Sequence, residues 1–255
     1  MNLKFDLSFA DGYTSKSQIA RVLTEKWVSQ NIFCPSCGNE ILNEFANNSP
    51  VADFFCDKCR SEYELKSKKD SKSLKIVDGA YSTMIERINS DNNPNFFFLN
   101  YNSEDLTLKN FLVIPKYYFI DDISEMRKPL GPNARRAGWV GCNILLSGIP
   151  ESGKIYFIKN SQALDRSEVL AAWNKTDFLS EQKKTNRGWT IEVMKLLDKI
   201  QSQDFYLRDI YKFENILKEK FPNNNFIKDK IRQQLQVLRD KNIIEFLGKG
   251  HYKKI

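Results

Sequence analysis

The chain has 255 residues, of which 41% are hydrophobic and 28% are charged, and its formal net charge is +7. Such a chain is long enough for two domains with hydrophobic cores, which excludes a disordered or fibrous protein. The positive charge is typical of a protein that binds a polyanion, either a nucleic acid or a membrane surface. No apolar run approaches the ~18 residues that span a membrane, and the first residues lack a signal-peptide pattern. We therefore expect a soluble, cytoplasmic protein.

The first predicted element is an amphipathic helix over residues 15–31. Ile19, Leu23 and Trp27 recur on one of its faces, and a serine precedes it as an N-cap. We expect this face to pack on a sheet. Glu25 is either an exposed helix charge or an accessory ligand of a nearby metal.

Four of the five cysteines form two Cys-x-x-Cys pairs, which are separated by 18 residues: Cys34, Cys37, Cys56 and Cys59. This spacing is typical of a structural zinc site, in which four thiolates leave no coordination position for catalysis. Two disulfides or free thiols are the alternative, but disulfides are rare in intracellular proteins. The remaining cysteine, Cys142, is expected to be a small buried residue.

A predicted β-hairpin surrounds the second cysteine pair. Its strands cover residues 51–56 and 61–67, and the cysteines stand at the turn between them. Side chains alternate along a strand, so Glu64 and Lys66 face the same way. If the two strands pair with each other, Asp53 lies opposite Glu64. Two carboxylates and a lysine would then surround one divalent metal ion.

The hairpin also has an ordinary explanation, because Glu-x-Lys on a strand is usually a solvated face. Asp53 argues against it. Its carboxylate is flanked by Val51, Ala52, Phe54 and Phe55. A charge among apolar residues is costly unless it binds a partner or a metal.

The chain then alternates between helix and strand patterns. A basic tract at residues 66–73 either contacts phosphate or is simply solvated. We predict helices over residues 78–89 and 167–174, and strands over residues 95–101, 111–115 and 155–158. Helices between strands predict an α/β domain.

Residues 127–143 form an unusual basic, glycine-rich segment. Arg127, Arg135 and Arg136 are its candidate DNA contacts, and Trp139 stands between two glycines. Such a loop allows the backbone to approach DNA closely and presents an indole to a base. The alternative is that Trp139 is an ordinary core anchor.

The last part of the chain changes to a helical pattern after a polar linker at residues 178–187. Helices are predicted from Thr190, from Leu207 to residue 220 and from Asn225, and a short hairpin follows around residues 248–250. This order predicts a winged helix. The third helix carries six outward polar residues that are expected to contact phosphates and bases: Lys228, Lys230, Arg232, Gln233, Gln236 and Arg239.

We therefore expect one domain over residues 1–181 and a winged-helix domain over residues 182–255. A helical oligomerisation domain is the alternative for the second. His251 is the only histidine and stands in a basic C-terminal tail, which argues against a nuclease or protease built on a histidine base or a histidine-ligated zinc. We expect it to be a surface or phosphate-contacting residue.

At Asp53, Glu64 and Lys66 the chain resembles the PD-(D/E)xK nuclease superfamily. One departure is that Pro50 stands three residues before the aspartate instead of next to it. The order of the parts also resembles the methyl-directed type II restriction endonucleases of this superfamily. These parts are the four-cysteine site and the segments NPNFFFL (93–99), ARRAGW (134–139) and KIRQQLQVLRDK (230–241).

The resemblance implies an α/β PD-(D/E)xK core with an inserted structural zinc site, followed by an α+β winged helix. It implies a catalytic magnesium ion held by Asp53, Glu64 and the Leu65 carbonyl, with Lys66 orienting or polarising the attacking water. The implied reaction is double-strand cleavage of DNA at GATC sites that carry N6-methyladenine. We expect the protein to be a monomer in solution.

Two other functions remain open from the residues alone. A PD-(D/E)xK nuclease with a methyl-independent target would have nearly the same composition. A non-enzymatic zinc and winged-helix regulator would bind DNA without cutting it, but it would leave the acids of the hairpin unexplained.

Overall fold

The computed structural model describes residues 1–46, 52–70, 75–90, 93–120 and 123–255. The chain divides into two compact units, of which the first is Met1–Ser147 with Ser152–Asn174 and the second is Gly148–Glu151 with Lys175–Ile255. Three features of the sequence analysis lie outside the described residues: Pro50, Val51 and residues 71–73 of the basic tract. Among the described helices, none combines the length and the hydropathy needed to cross a membrane.

The first unit mixes helices and strands. Its helices are α1 (Lys16–Asn31), α2 (Tyr81–Ser90) and α3 (Arg166–Thr176). Its strands are β1 (Asn43–Glu44), β2 (Phe54–Phe55), β3 (Glu62–Lys69), β4 (Lys75–Ala80), β5 (Asn95–Tyr101), β6 (Leu108–Ile114), β7 (Ser124–Met126), β8 (Gly141–Leu145), β9 (Ile155–Lys159) and β10 (Gln162–Ala163). The predicted α/β character is confirmed.

Seven of these strands form one sheet in the order β1-β2-β3-β5-β6-β9-β10. β3 and β5 are parallel, and the other neighbours are antiparallel. Tyr63 and Phe111 are buried on one face of this sheet, where Trp27 of α1 packs edge-on against Phe111 with ring centroids 5.7 Å apart. Because side chains alternate along a strand, Glu64 and Lys66 point to the opposite face.

A second, antiparallel sheet has the order β4-β8-β7. In it Asp78 lies opposite Cys142, which is buried as expected. The prediction of a helix from residue 78 is wrong at its start, because pairing with β8 keeps the chain extended to Ala80. α2 begins at Tyr81.

The second unit consists of helices and a small sheet. The helices are α4 (Lys184–Lys199), α5 (Leu207–Tyr211), α6 (Glu214–Lys220) and α7 (Ile227–Asp240). β11 (Asp204–Tyr206), β12 (Ile244–Gly248) and β13 (His251–Lys254) pair in the order β11-β13-β12. The predicted hairpin is confirmed, and it turns through Lys249 and Gly250, which both have positive φ.

Two predictions in this unit are wrong in part. The segment predicted as a linker contains the first turn of α4, which starts at Lys184 because Arg187 and Trp189 are buried. The single helix predicted from Leu207 is two helices, since the chain turns after α5 through a hydrogen bond from the Phe213 N–H to the Ile210 carbonyl.

Candidate functional site

The β2–β3 hairpin brings the predicted catalytic acids close together. Phe54 pairs with Tyr63, and Asp53 stands in a bend just before β2, where its charge acts on Glu64. The Asp53 N–H donates a hydrogen bond to the Tyr63 carbonyl at 3.0 Å. Because Asp53 is held against Tyr63 and Glu64 is the next residue of β3, the two carboxylates are candidate ligands of one ion.

The Asp53 carboxylate is anchored by the backbone of β3. The Leu65 N–H donates to its Oδ2 at 2.6 Å, which leaves Oδ1 available as a ligand. Burial raises the pKa of Asp53, although the hydrogen bond from Leu65 and the charge of Lys66 oppose this rise. Glu25 of α1 is also partly buried, and burial together with the charge of Asp53 raises its pKa against the effect of Arg21.

Lys66 lies between two carboxylates. Its Nζ is 2.5 Å from Glu64 Oε1 and 2.5 Å from Asp78 Oδ1. Burial alone lowers the pKa of Lys66, but the two carboxylates raise it well above its ordinary value, so the ammonium group stays charged. Burial raises the pKa of Glu64, an effect that Lys66 opposes and Asp78 reinforces.

These groups line a cavity of about 240 Å³. Its wall also contains Arg87, whose guanidinium is 3.9 Å from Glu64 Oε2. Sequence reasoning did not find Asp78 or Arg87, since no local pattern places either residue beside Lys66. Asp78 lies on β4 of the second sheet, and this strand brings it to the wall of the cavity that Glu64 and Lys66 also line.

The four predicted zinc ligands converge. The sulfur atoms of Cys34, Cys37, Cys56 and Cys59 all lie within 4.8 Å of one another. The sulfur of Cys34 is 3.6 Å from that of Cys59, and the sulfur of Cys37 is 3.6 Å from that of Cys56. Thiolates at ~2.3 Å from a tetrahedral zinc ion are ~3.8 Å apart, so the cluster fits zinc. None of the four is paired in a disulfide in the structure. Burial raises the pKa of Cys59, but hydrogen bonds with Ser61, Cys37 and Cys34 together outweigh it and lower the pKa to about 7.

Each Cys-x-x-Cys pair forms its own turn, and the two turns have the same backbone hydrogen bond. The Gly38 N–H donates to the Cys34 carbonyl, and the Arg60 N–H donates to the Cys56 carbonyl, both at 2.8 Å. Gly38 and Arg60 have positive φ values of 73° and 63°, so the turn repeats although only one copy has glycine. The Tyr63 hydroxyl is 3.1 Å from the Cys34 sulfur, which links the cluster to β3.

The predicted basic loop connects β7 to β8. Arg127, Arg135 and Arg136 are exposed, whereas Trp139 is partly buried. The Arg136 guanidinium lies 4.7 Å from the centroid of the Trp139 ring. The ring also lies against Gly141, where an added methyl group would be 2.8 Å from two ring carbons. Trp139 is therefore held at the surface by its neighbours and is not a core anchor.

α7 presents a polar face, as predicted. Its six candidate residues are exposed, apart from the half-buried Lys230: Lys228, Lys230, Arg232, Gln233, Gln236 and Arg239. Gln234 is instead buried, and it accepts a hydrogen bond from the Thr190 hydroxyl at 2.7 Å. The pattern of outward residues is confirmed, and their contacts with DNA stay a prediction.

A second cavity, which we call the lysine groove, shares Lys66 with the first. It measures about 450 Å³, and its walls combine aromatic side chains such as Phe98 with Lys68, Lys109 and Lys159. These three lysines are exposed. Lys109 and Lys159 were not predicted, because isolated lysines on distant strands form no sequence motif.

The chain matches two family models that together cover nearly all of it. Residues 1–182 match the DpnI model, described as the Dam-replacing family, and residues 185–254 match the Dam-replacing HTH domain. The first match alone spans more than half of the chain. The protein therefore belongs to the DpnI, or Dam-replacing, family and carries that family's C-terminal helix-turn-helix domain.

Proposed function

We propose that this protein is a type II restriction endonuclease that cuts both DNA strands at GATC sites carrying N6-methyladenine, by metal-dependent phosphodiester hydrolysis. The observation that carries the proposal is the contact of Glu64 with Lys66 beside one cavity, with Asp53 bound to the backbone of the same strand, in a chain of the DpnI family. These residue types support a PD-(D/E)xK site.

Asp53 and Glu64 are the proposed ligands of a magnesium ion, with the Leu65 carbonyl as a third. Magnesium prefers carboxylate and carbonyl oxygens. Both carboxylates are partly buried and have raised pKa values, which is the environment in which a bound cation is most favourable. When bound, the ion supplies an activated water and neutralises charge that develops on the phosphate oxygens.

Lys66 is proposed to orient the attacking water and to stabilise the negative phosphate. Two carboxylates keep its ammonium group charged inside the cavity. A fixed positive charge lowers the barrier because it is already in place when charge develops in the transition state. Hydrolysis of this kind leaves 5′-phosphate and 3′-hydroxyl ends.

The four-cysteine cluster is proposed to hold zinc in a structural role. Four thiolates would fill every position of a tetrahedral zinc ion, so no open position would remain for chemistry. Zinc would instead stabilise the hairpin that carries Asp53, because Cys56 stands three residues after it.

We assign DNA contacts to the basic loop, the lysine groove and α7. Exposed arginine and lysine side chains bind the phosphate backbone of any sequence, whereas glutamines such as Gln233 and Gln236 can read base edges. Trp139 is the proposed contact of the adenine methyl group. Burying one methyl yields ~0.8 kcal/mol, or roughly a fourfold gain in affinity. Strong methyl dependence therefore requires a further contribution.

Four synthetic duplexes that differ only in methylation test the proposal: unmethylated, fully methylated and each hemimethylated form of one GATC site. With magnesium, we expect the fully methylated duplex to be cut in both strands and the unmethylated duplex to survive. Asp53→Asn and Glu64→Gln should reduce the cleavage rate on the order of 100-fold or more. Binding, measured with calcium in place of magnesium, should persist in both variants.

Glu62→Gln is the matched control, because Glu62 lies on the same strand two residues before Glu64. It should cut at the wild-type rate. Wild-type cleavage by Glu64→Gln would remove this carboxylate from the site. Binding without any strand breaks, in folded protein with magnesium or manganese, would instead identify a DNA-binding regulator.

A further inference from the structure

The carboxylate of Asp78 stands outside the three-residue motif but touches its lysine. Its side chain is only 8% exposed, and its Oδ1 lies 2.5 Å from Lys66 Nζ. Among the residues that the structure describes, the other anion paired with this ammonium group is Glu64, which the proposed function assigns to the metal. When Glu64 binds the metal ion, Asp78 is therefore the carboxylate that still holds Lys66.

Asp78 also belongs to the sheet that carries the basic loop. β4 pairs with β8, so that Ala80 lies opposite Gly141 and Asp78 lies opposite Cys142. The Tyr81 N–H donates to the Val140 carbonyl at 3.1 Å. These bonds follow directly on Trp139 along the chain. Backbone pairing thus joins the loop to the strand that presents Asp78, with one irregularity between Asp78 and Ala80.

We propose that Asp78 is a positioning residue for Lys66 and that the β4-β8-β7 sheet couples contact at Trp139 to the chemical step. This inference rests on the proposed function. The coupling would also add to the discrimination between methylated and unmethylated DNA, for which the burial of one methyl group is not enough. Discrimination would then appear in the rate of cleavage as well as in affinity.

Asp78→Asn tests the positioning role, since it keeps the shape of the side chain and removes its charge. Partners that orient a catalytic group typically contribute 10–100-fold, so we expect the single-turnover rate on saturating methylated DNA to fall by about that factor. The dissociation constant for DNA should change less than about twofold. The ratio of rates on methylated and unmethylated duplexes should fall as well.

A double-mutant cycle with Lys66→Met separates positioning from general structural support. If Asp78 acts through Lys66, Asp78→Asn causes no further loss of rate once Lys66 has been replaced. Asp78→Glu, which restores the charge, should recover part of the rate. Asp105→Asn is the control, because Asp105 is an exposed acid of a turn that caps the Thr107 N–H.

Three results would overturn the inference. One is a wild-type single-turnover rate and methyl ratio in Asp78→Asn. Another is an equal loss in the Lys66→Met background. The third is that Asp78→Asn changes only the magnesium concentration that cleavage requires. Such a change would identify Asp78 as a metal ligand. If thermal unfolding shows that Asp78→Asn does not fold, the same readouts apply to Asp78→Ser, which also removes the charge. Wild-type protein that cuts neither duplex would contradict the proposed function instead.

Discussion

Gly141 determines how closely the Trp139 indole can approach β8. A methyl group at Gly141 would lie 2.8 Å from two carbons of the ring, a distance that forces the ring to move. Arg136 lies over the same ring at 4.7 Å, so its electrostatic attraction helps to hold the indole in place. The position of the ring therefore depends on a residue that has no side chain.

Gly141→Ala is expected to displace Trp139 without removing it. If the indole contacts the methyl group, the preference for methylated DNA should fall by roughly fourfold per methyl, as in Trp139→Ala. Competition binding between methylated and unmethylated duplexes measures this preference.

Gly131→Ala provides the matched control, because Gly131 lies in the same loop and an added methyl there meets nothing within 4 Å. It should leave the preference unchanged. An unaltered preference in both Gly141→Ala and Trp139→Ala would show that the methyl group is read elsewhere.

At the scale of elements, the β2–β3 hairpin is tied to the cysteine cluster at two points. Cys56 and Cys59 belong to its turn, and the Tyr63 hydroxyl of β3 contacts the Cys34 sulfur at 3.1 Å. Tyr63 is fully buried and stacks on Phe97 with ring centroids 4.6 Å apart. Loss of the proposed zinc ion should therefore disturb the strand that carries Glu64 and Lys66.

Cys56→Ser is expected to lose its zinc and to unfold at a lower temperature. Loss of a structural zinc costs several kcal/mol, which corresponds to a decrease of roughly 10 °C or more in Tm. Zinc content by elemental analysis and thermal unfolding measure the two effects. Cys142→Ser is the control, because Cys142 is buried outside the cluster and should retain zinc. Full zinc content in Cys56→Ser would disprove the ligand set.

α7 allows the reading of sequence to be separated from the binding of phosphate. Lys228→Ala should weaken binding to every sequence. It should also reduce the slope of the logarithm of the binding constant against the logarithm of the salt concentration by ~0.9 per lost phosphate contact. Gln236→Ala should instead change the preference for one base pair by ~1–3 kcal/mol. Affinities for a panel of single-base variants at several salt concentrations distinguish the two. Identical effects of both substitutions would contradict α7 as a base-reading helix.

Across the whole fold, the individual helices and strands were the features most predictable from the sequence. β5 has the predicted limits, α1 and α7 follow their apolar periodicity, and the cysteine spacing anticipated the cluster. These features depend on neighbours along the chain, where the pattern of side chains directly reports which face is buried.

Features that require distant segments to meet were not predictable. The β4-β8-β7 sheet pairs strands that are far apart in sequence, so neither its register nor the contact between Asp78 and Lys66 leaves a local pattern. The lysine groove has the same origin, since Lys109 and Lys159 come together only when β6 and β9 pair. The first turn of α4 was missed because burial of Trp189 outweighs a polar local sequence.

The most direct test of the account uses two plasmids that differ only in N6-methylation at GATC. Purified, zinc-loaded protein is incubated with each plasmid and magnesium, beside a sample with EDTA. We expect only the methylated plasmid to be converted to a ladder of GATC fragments, and EDTA to abolish this conversion. Equal cutting of both plasmids would contradict methyl dependence, and intact DNA in both would contradict the nuclease assignment of Asp53, Glu64 and Lys66.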